Sequence, residues 1–390
     1  MMNNFVKYYL MAMMFVVLLV KPFSVLSQEL STAEAETASH EHHESEKLDP
    51  KSFIFGHIGD SYDFHITKIG DKHISVPLPI IVRSSERGWF VFSSNHLSHL
   101  AEGEDYNGFF IQPKGEKYEG KVVERNAAGV VVRPFDLSIT KNVFAILLSV
   151  AIMLLVFLTA AHKYKKNPMG VPDKHQGIVE WLMFVIIDGV IRPAVGAKTE
   201  RFAPFLLTLF FFIFINNLMG LIPIFPFGAN VTGNLAVTMV LAVFTYLVTN
   251  VFGTREYWKE VLWPDVPLGL KVPVPLMPII EIISTFTKPI ALMIRLFANI
   301  FAGHMIILVL MLMIFIFAEM FGPSIGAGVS GISILFTIFM FFLELLVAFI
   351  QAYVFAMLSS VFIGMAQVEH HGHHEEELKG EQVNENQLNI

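Results

Sequence analysis

The chain has 390 residues, 54% of them hydrophobic and 16% charged, with a formal net charge of −7, 37 Phe and no Cys. An ordinary soluble domain carries about 25% charged residues, so this composition excludes a purely soluble enzyme and indicates a polytopic membrane protein. The lack of Cys excludes disulfides, thiolate-held zinc, iron–sulfur clusters and a cysteine nucleophile. The acidic balance gives no sign of a nucleic-acid-binding surface.

Residues 1–27 have the layout of an export signal, with Lys7 ahead of an apolar core from Leu10 to Val20 and small residues at Val25 and Ser27. The core is shorter than the about 20 residues that span a bilayer, although Lys21 directly after it leaves an uncleaved anchor open. Residues 28–50 are acidic, carry the cluster His40-Glu41-His42-His43-Glu44 and predict a disordered linker. Residues 51–136 predict a small β-rich extracytoplasmic domain with strands over Ile74–Val82, Trp89–Phe92, Phe109–Gln112, Lys121–Val123 and Val130–Val132. It holds no catalytic constellation.

A membrane domain is expected over 137–368. Asn142–Ala161 is an uninterrupted apolar run followed by His162-Lys163-Tyr164-Lys165-Lys166. The positive-inside rule runs this span from outside to cytoplasm. Ile178–Ile191 carries Glu180 and Asp188 and reads as a helix at the interface, and Pro204–Pro226 and Asn234–Phe252 read as the next two spans. Arg255 and Lys259 then mark a return to the cytoplasm.

The last two apolar segments, Pro275–Ala318 and Val329–Ala366, are much longer than one crossing needs. Each is either a hairpin or one oblique helix. Pro289 and Gly303 stand alone as breakers, so two long, strongly tilted helices are expected in an otherwise all-α membrane domain. Residues 369–390 form a hydrophilic tail with His370, His371, His373 and His374 before Glu375–Glu377, which predicts disorder rather than a metal site.

Charges inside these segments carry the functional signal, because a central Arg costs roughly 2.5–3.5 kcal/mol to insert and marks an ion path or a buried partner. With 100° per residue, Glu281, Ser284, Thr285, Lys288, Arg295 and Asn299 fall in one stripe about 100° wide. His304 falls opposite Arg295. On the last segment Glu344 and Gln351 share a face and Tyr353 lies opposite. Imidazole and carboxylate can take and release protons, whereas a guanidinium stays charged. The pattern fits a proton- or ion-conducting subunit with a fixed central cation. A secondary transporter for an anionic substrate is the alternative, against which no internal repeat is visible.

These residues also carry a resemblance. Arg295-Leu-Phe-Ala-Asn299-Ile-Phe-Ala-Gly-His304, preceded by Lys288-Pro289 and followed by Glu344 and Gln351, resembles the signature of subunit a of the F-type ATP synthase membrane sector. Asn216-Asn217-Leu-Met-Gly-Leu-Ile-Pro223 and Gly233-Asn234 support it, and the likeness extends over about 135–368. Gly56-His57 is similar to a short N-terminal His segment of the family, whereas the β-rich insert departs from it. Gly220 stands where some members carry Asp.

The resemblance implies a stator subunit against which a ring of c subunits turns, with peripheral-stalk b subunits and the rest of the synthase as partners and with no cofactor. It implies that Arg295 faces the ring carboxylates between two offset half-channels, beside Asn299 and supported by Gln351. His304 and Glu344 are implied in the outer half-channel, with Asn217 and Asn234 nearby. Glu281, Ser284 and Lys288 are candidates for the inner one, and Tyr353 is a further lining candidate. Lys288 can equally snorkel to the interface, and Asn217 and Asn234 can equally bridge helices. The bacterial inner membrane is the implied location, with the C-terminus in the cytoplasm. ATP chemistry belongs to other subunits, since no Walker-type phosphate loop occurs in the chain.

Overall fold

A computed structural model describes residues 58–367 except 70–71, 85, 99, 101–103, 114–115, 127–128, 168–171, 223 and 264–275. The expected signal, linker, His57 and C-terminal tail lie outside the described residues.

Among the described residues, eight short strands precede the long helices. β1 (Asp63–Ile69) and β2 (Lys72–Pro77) form an antiparallel hairpin, β4 (Gly88–Ser93), β3 (Pro79–Ser84) and β8 (Phe135–Asp136) form one antiparallel sheet in that order, and β5 (Phe109–Ile111), β6 (Val122–Arg125) and β7 (Val131–Val132) form another. A short helix, α1 (Asn95–Ser98), follows β4. Tyr62, Ile80, Val82, Leu97, Phe109 and Val122 make the core of this domain. The Tyr62 hydroxyl donates to Asp136 Oδ2 at 2.6 Å, joining the entry of the domain to its exit.

The single strand expected over Ile74–Val82 is two strands in different sheets. Pro77 and Pro79 flank Leu78 and cannot donate to a ladder, while Leu78 N–H goes to Ser94 Oγ at 3.0 Å and its carbonyl accepts from Ser94 N at 2.9 Å. The first strand, β1, has no counterpart in the sequence reading, because Asp63, His65, Thr67 and Lys68 dilute its apolar alternation.

The helical part begins with α2 (Lys141–Lys166), whose first turn is capped by Thr140 Oγ1 accepting from Val143 N at 3.4 Å. Its last turn carries Lys163, Lys165 and Lys166. α3 (Lys174–Ile186) continues through a π turn over Ile187–Ile191 into the short α4 (Arg192–Val195), and Gly196, at φ 65°, turns the chain into α5 (Thr199–Leu221). The polar residues of this connection are matched locally. Tyr164 donates to Glu180 at 2.6 Å, and Asp188 pairs with Arg192 at 2.7 Å.

α6 (Leu235–Val251) starts at Asn234, whose side chain accepts from Ala236 N at 2.9 Å, and is followed by α7 (Arg255–Leu262) at a 105° bend. Two unbroken helices complete the chain, α8 (Leu276–Phe321, 46 residues) and α9 (Pro323–Ala366, 44 residues). They settle the hairpin question in favour of long helices. The break between them is confined to Gly322, in the left-handed region at φ 90°, with Pro323 at the first helical position.

A 46-residue helix is about 69 Å long at 1.5 Å per residue. Kept within a hydrocarbon layer about 30 Å thick, it must lean more than about 60° from the bilayer normal. Among the described residues, four helical segments are long and apolar enough to cross a membrane, or five if the bent α6–α7 pair is one span. α8 packs chiefly on α9 and α6, and α9 also packs on α5 and α4. Close approach needs glycine at position 364, where a Cβ would lie 2.0 Å from Ala194 carbonyl oxygen. The end of α9 is fixed by Thr254 N donating to Ala366 O at 2.9 Å and by Gln367 Nε2 donating to Phe252 O.

Candidate functional site

The candidate residues divide between two faces of α8. Leu292, Leu296 and Ile300 are its buried apolar contacts, and the surface between them is left to Arg295 and Asn299. Both side chains are exposed, in a neighbourhood of exposed Ala291, Ile294, Ala298 and Ala302. Within the described residues, no hydrogen bond or ion pair is made by the Arg295 guanidinium. Nor does Gln351 reach it: Gln351 is buried in α9, whereas Arg295 points out. The support expected from Gln351 is therefore absent as a direct contact.

Nine residues further along α8, His304 lies on the other side and faces α9. Its Nε2 is 3.6 Å from Glu344 Oε1, with the His side chain 18% exposed and the Glu side chain 3% exposed. The helical spacing that puts His304 opposite Arg295 is thus realised, and α9 brings Glu344 to it. Neither Glu344 oxygen accepts a hydrogen bond from the protein. A buried acceptor left in that state costs about 1–3 kcal/mol, and more when charged. Such a carboxyl group needs water or an exchanging proton as its partner.

One glycine makes room for this pair and a second adjoins it. A Cβ on Gly303 would lie 2.9 Å from Glu344 Oε1 and 3.3 Å from its Cγ. The residue read as a weak helix breaker is the slot that admits the carboxyl group. A Cβ on Gly220, at the end of α5, would lie 3.5 Å from His304 Nε2 and 3.3 Å from Ala229 carbonyl oxygen. Gly220 thus has the imidazole on one side and the backbone of the α5–α6 connection on another. Close contact across helices is the one property of glycine that a single sequence does not display.

The asparagines serve as braces. Asn217 Nδ2 donates to Ala348 O of α9 at 3.2 Å, and its Oδ1 accepts from Thr232 in the α5–α6 connection. Asn216 donates to Ser149 Oγ of α2 at 3.1 Å. Asn234 is occupied in capping α6. Tyr353 is half-buried and stacks on Phe349, with ring centroids 6.3 Å apart.

Toward the start of α8, Glu281, Ser284, Thr285 and Lys288 are half-buried. Lys288 and Thr285 line a pocket with Thr249, Asn250 and Tyr257, and the Lys288 ammonium stands 6.0 Å from the Phe362 ring. This pocket lies where α6 turns into α7. The pair His304–Glu344 lies toward the other end of α6, beside the α5–α6 connection. No described residues form a group of three suited to hold a metal.

Comparison with known proteins gives two regions of likeness. A family model described as ATP synthase A chain matches residues 143–364, and one described as a domain of unknown function matches residues 53–138. Similar relatives include ATP synthase subunit a of Chloroherpeton thalassium, 40% identical over 286 residues that cover 72% of this chain and 78% of the relative. ATP synthase subunit a of Pelodictyon phaeoclathratiforme is 39% identical over 283 residues, covering 70% and 76%. The subunit a of an Anaeromyxobacter species is 38% identical over 265 residues, covering 66% and 61%.

Proposed function

The chain belongs to the ATP synthase subunit a family, and from that premise we propose that it is the proton-conducting stator of the rotary synthase. The observation that carries this reading is the division of α8 into an outward face bearing an unpaired Arg295 and an inward face bearing His304 beside Glu344. A guanidinium on an otherwise apolar membrane helix is stable only with an anionic or aqueous partner. A carboxylate on a passing ring of c subunits meets that need. Small neighbours at Ala291, Ala298 and Ala302 let another helix come close to it.

In this mechanism a proton enters from the outer side, passes His304 and Glu344, and neutralises a ring carboxylate. That neutral site can then leave Arg295 and turn through lipid. After nearly a full rotation the carboxyl group meets the inner path, for which Glu281, Ser284 and Lys288 are the lining candidates, and releases its proton. Arg295 holds the emptied carboxylate ionised and blocks a continuous proton wire, because it cannot give up its own proton. Asn299 borders the same face. Gln351, Asn217, Asn234 and Tyr353 keep the helices in place behind it.

The peripheral-stalk b subunits hold this stator against the torque of the ring, and ATP is made elsewhere in the complex. The cations Lys163, Lys165, Lys166, Arg192, Lys198, Arg201, Arg255 and Lys259 fall at the end of α2, between α3 and the first turn of α5, and in α7 after α6, positions that alternating crossings bring to one end of the bundle. The positive-inside rule makes that end cytoplasmic, which puts the β domain on the outer side of the bacterial inner membrane.

The test uses a chain that has no native cysteine. Cysteine at position 298, one helical turn from Arg295, should form a disulfide with cysteines on the outer helix of c subunits in oxidised membranes. Cross-linking should stop ATP-driven proton pumping. No cross-link from 298, alongside efficient cross-linking from the opposite face at Ile300, would contradict the reading.

A further inference from the structure

The β domain is not an appendage; it is built into the outer end of the helical bundle. Lys141 N donates to Ser61 O at 2.9 Å, and Asn142 N donates to Asp60 Oδ1 at 3.0 Å, so the domain's first residues cap α2. Phe64, on the β1–β2 hairpin, packs edge-on against Phe225 of the α5–α6 connection and Phe144 of α2, with ring centroids 5.4 Å and 6.1 Å away. Phe64 and Leu78 are buried in the same apolar core as α2 and α5. The α5–α6 connection that this hairpin holds is the segment whose Ala229 carbonyl lies against Gly220, the glycine that also adjoins the His304 imidazole.

A group of charges sits at the same seam. Asp60 is half-buried between Lys121, at the start of β6, and Lys141, at the start of α2, and Thr140 also hydrogen-bonds to it. The Lys141 ammonium lies 5.5 Å from the Phe64 ring and close enough to His304 for its charge to act on the imidazole. Asp63, Asp136 and Arg133 border the two lysines. The charge of Lys141 thus reaches from the seam to His304.

We propose that the β domain forms the outer opening of the path to His304, and that Asp60 is the carboxyl group through which protons pass from solvent into that path. This rests on the reading of His304 and Glu344 as the outer half-channel. The required chemistry is proton exchange alone: an Asp60 oxygen takes a proton from outer water and releases it to water on the His304 side. Desolvation raises the Asp60 carboxyl from its ordinary value and exceeds the opposing pull of Lys121 and Lys141. A group so shifted exchanges protons closer to neutral pH than an exposed Asp. Lys121, lowered by its own desolvation, modulates that shift.

The experiment measures passive proton flow through membranes stripped of the soluble ATPase sector, as a function of outer pH. Asp60→Asn should lower flow about tenfold, within the range for losing one positioned acid–base group, and should remove the limb of the outer-pH profile that belongs to Asp60. Asp60→Glu should restore most of both, which a purely structural role would not require. Lys121→Met removes a charge that holds the Asp60 pKa down, so the limb should move to higher pH. Arg295→Ala, assayed for ATP-driven pumping in unstripped membranes, separates the two levels of inference. If Arg295→Ala stops coupling while Asp60→Asn keeps the wild-type rate and profile, the entry role of Asp60 is wrong and the stator reading stands. Equal impairment of Asp60→Asn and Asp60→Glu in normally assembled complex would also overturn it. If Asp60→Asn does not assemble, a wild-type outer-pH profile in Lys121→Met overturns it.

Discussion

Replacing Gly303 by Ala tests the geometry of the proposed conducting pair with one methyl group. The added Cβ would lie 2.9 Å from Glu344 Oε1, 3.1 Å from Cδ and 3.3 Å from Cγ, where ordinary contact begins at 3.4 Å. The carboxyl group must therefore retreat by about half an ångström, in a site where its side chain is 3% exposed. Retreat from α8 also takes it away from His304, already 3.6 Å distant. Misplacement of a reacting group by 1 Å can cost about a hundredfold, so a loss of about tenfold in proton flow is expected. The stability change is small, because overpacking costs about 1–3 kcal/mol while Ala in a helix gains about 0.5–1 kcal/mol over Gly. The assay is ATP-driven acidification of inverted vesicles, with thermal unfolding of the purified complex as the control. Pumping at the wild-type rate in both Gly303→Ala and the bulkier Gly303→Val would refute the argument.

Single replacement of His304 or Glu344 by Ala should slow proton flow strongly, and the exchange His304→Glu with Glu344→His should recover part of it. A double-mutant cycle on flux measures the coupling; strictly additive losses with no recovery would mean that the residues do not share a path. Glu86→Cys, on the exposed turn between β3 and β4, should react with an impermeant thiol reagent from the outer side. Reaction only in inverted vesicles would reverse the orientation of the β domain.

The two-faced character of α8 was legible in the sequence because a helix 46 residues long imposes its 100° step without interruption. Arg295, Asn299, Lys288 and His304 fall where that step puts them. Glu344 was placed on a face with Gln351, and the packing of α8 on α9 supplies the meeting with His304. Contacts made by an absent side chain were not legible. Gly303 and Gly220 adjoin Glu344 and His304 through space, and their neighbours come from distant parts of the chain.

The β domain was readable in kind but not in detail. Leu78 looks like the middle of a strand, and only its pairing with Ser94 reveals the break. Ser94 itself, polar and at a strand end, looks accessible, yet it is fully buried because its hydroxyl completes that pairing. By sequence Asn234 is a channel candidate or a bridge. It is a helix cap, a role its position before an apolar run already allows.

The central claim is that Arg295 is the fixed charge on which coupling depends. It is tested most directly by proton-driven ATP synthesis in membranes carrying Arg295→Ala, with assembly of the complex checked in the same preparation. Synthesis should be lost while the detached soluble sector still hydrolyses ATP. Arg295→Lys should fail as well, since Lys lacks the planar fork and can lose its proton when desolvated. Synthesis at the wild-type rate in assembled Arg295→Ala complex would contradict the claim.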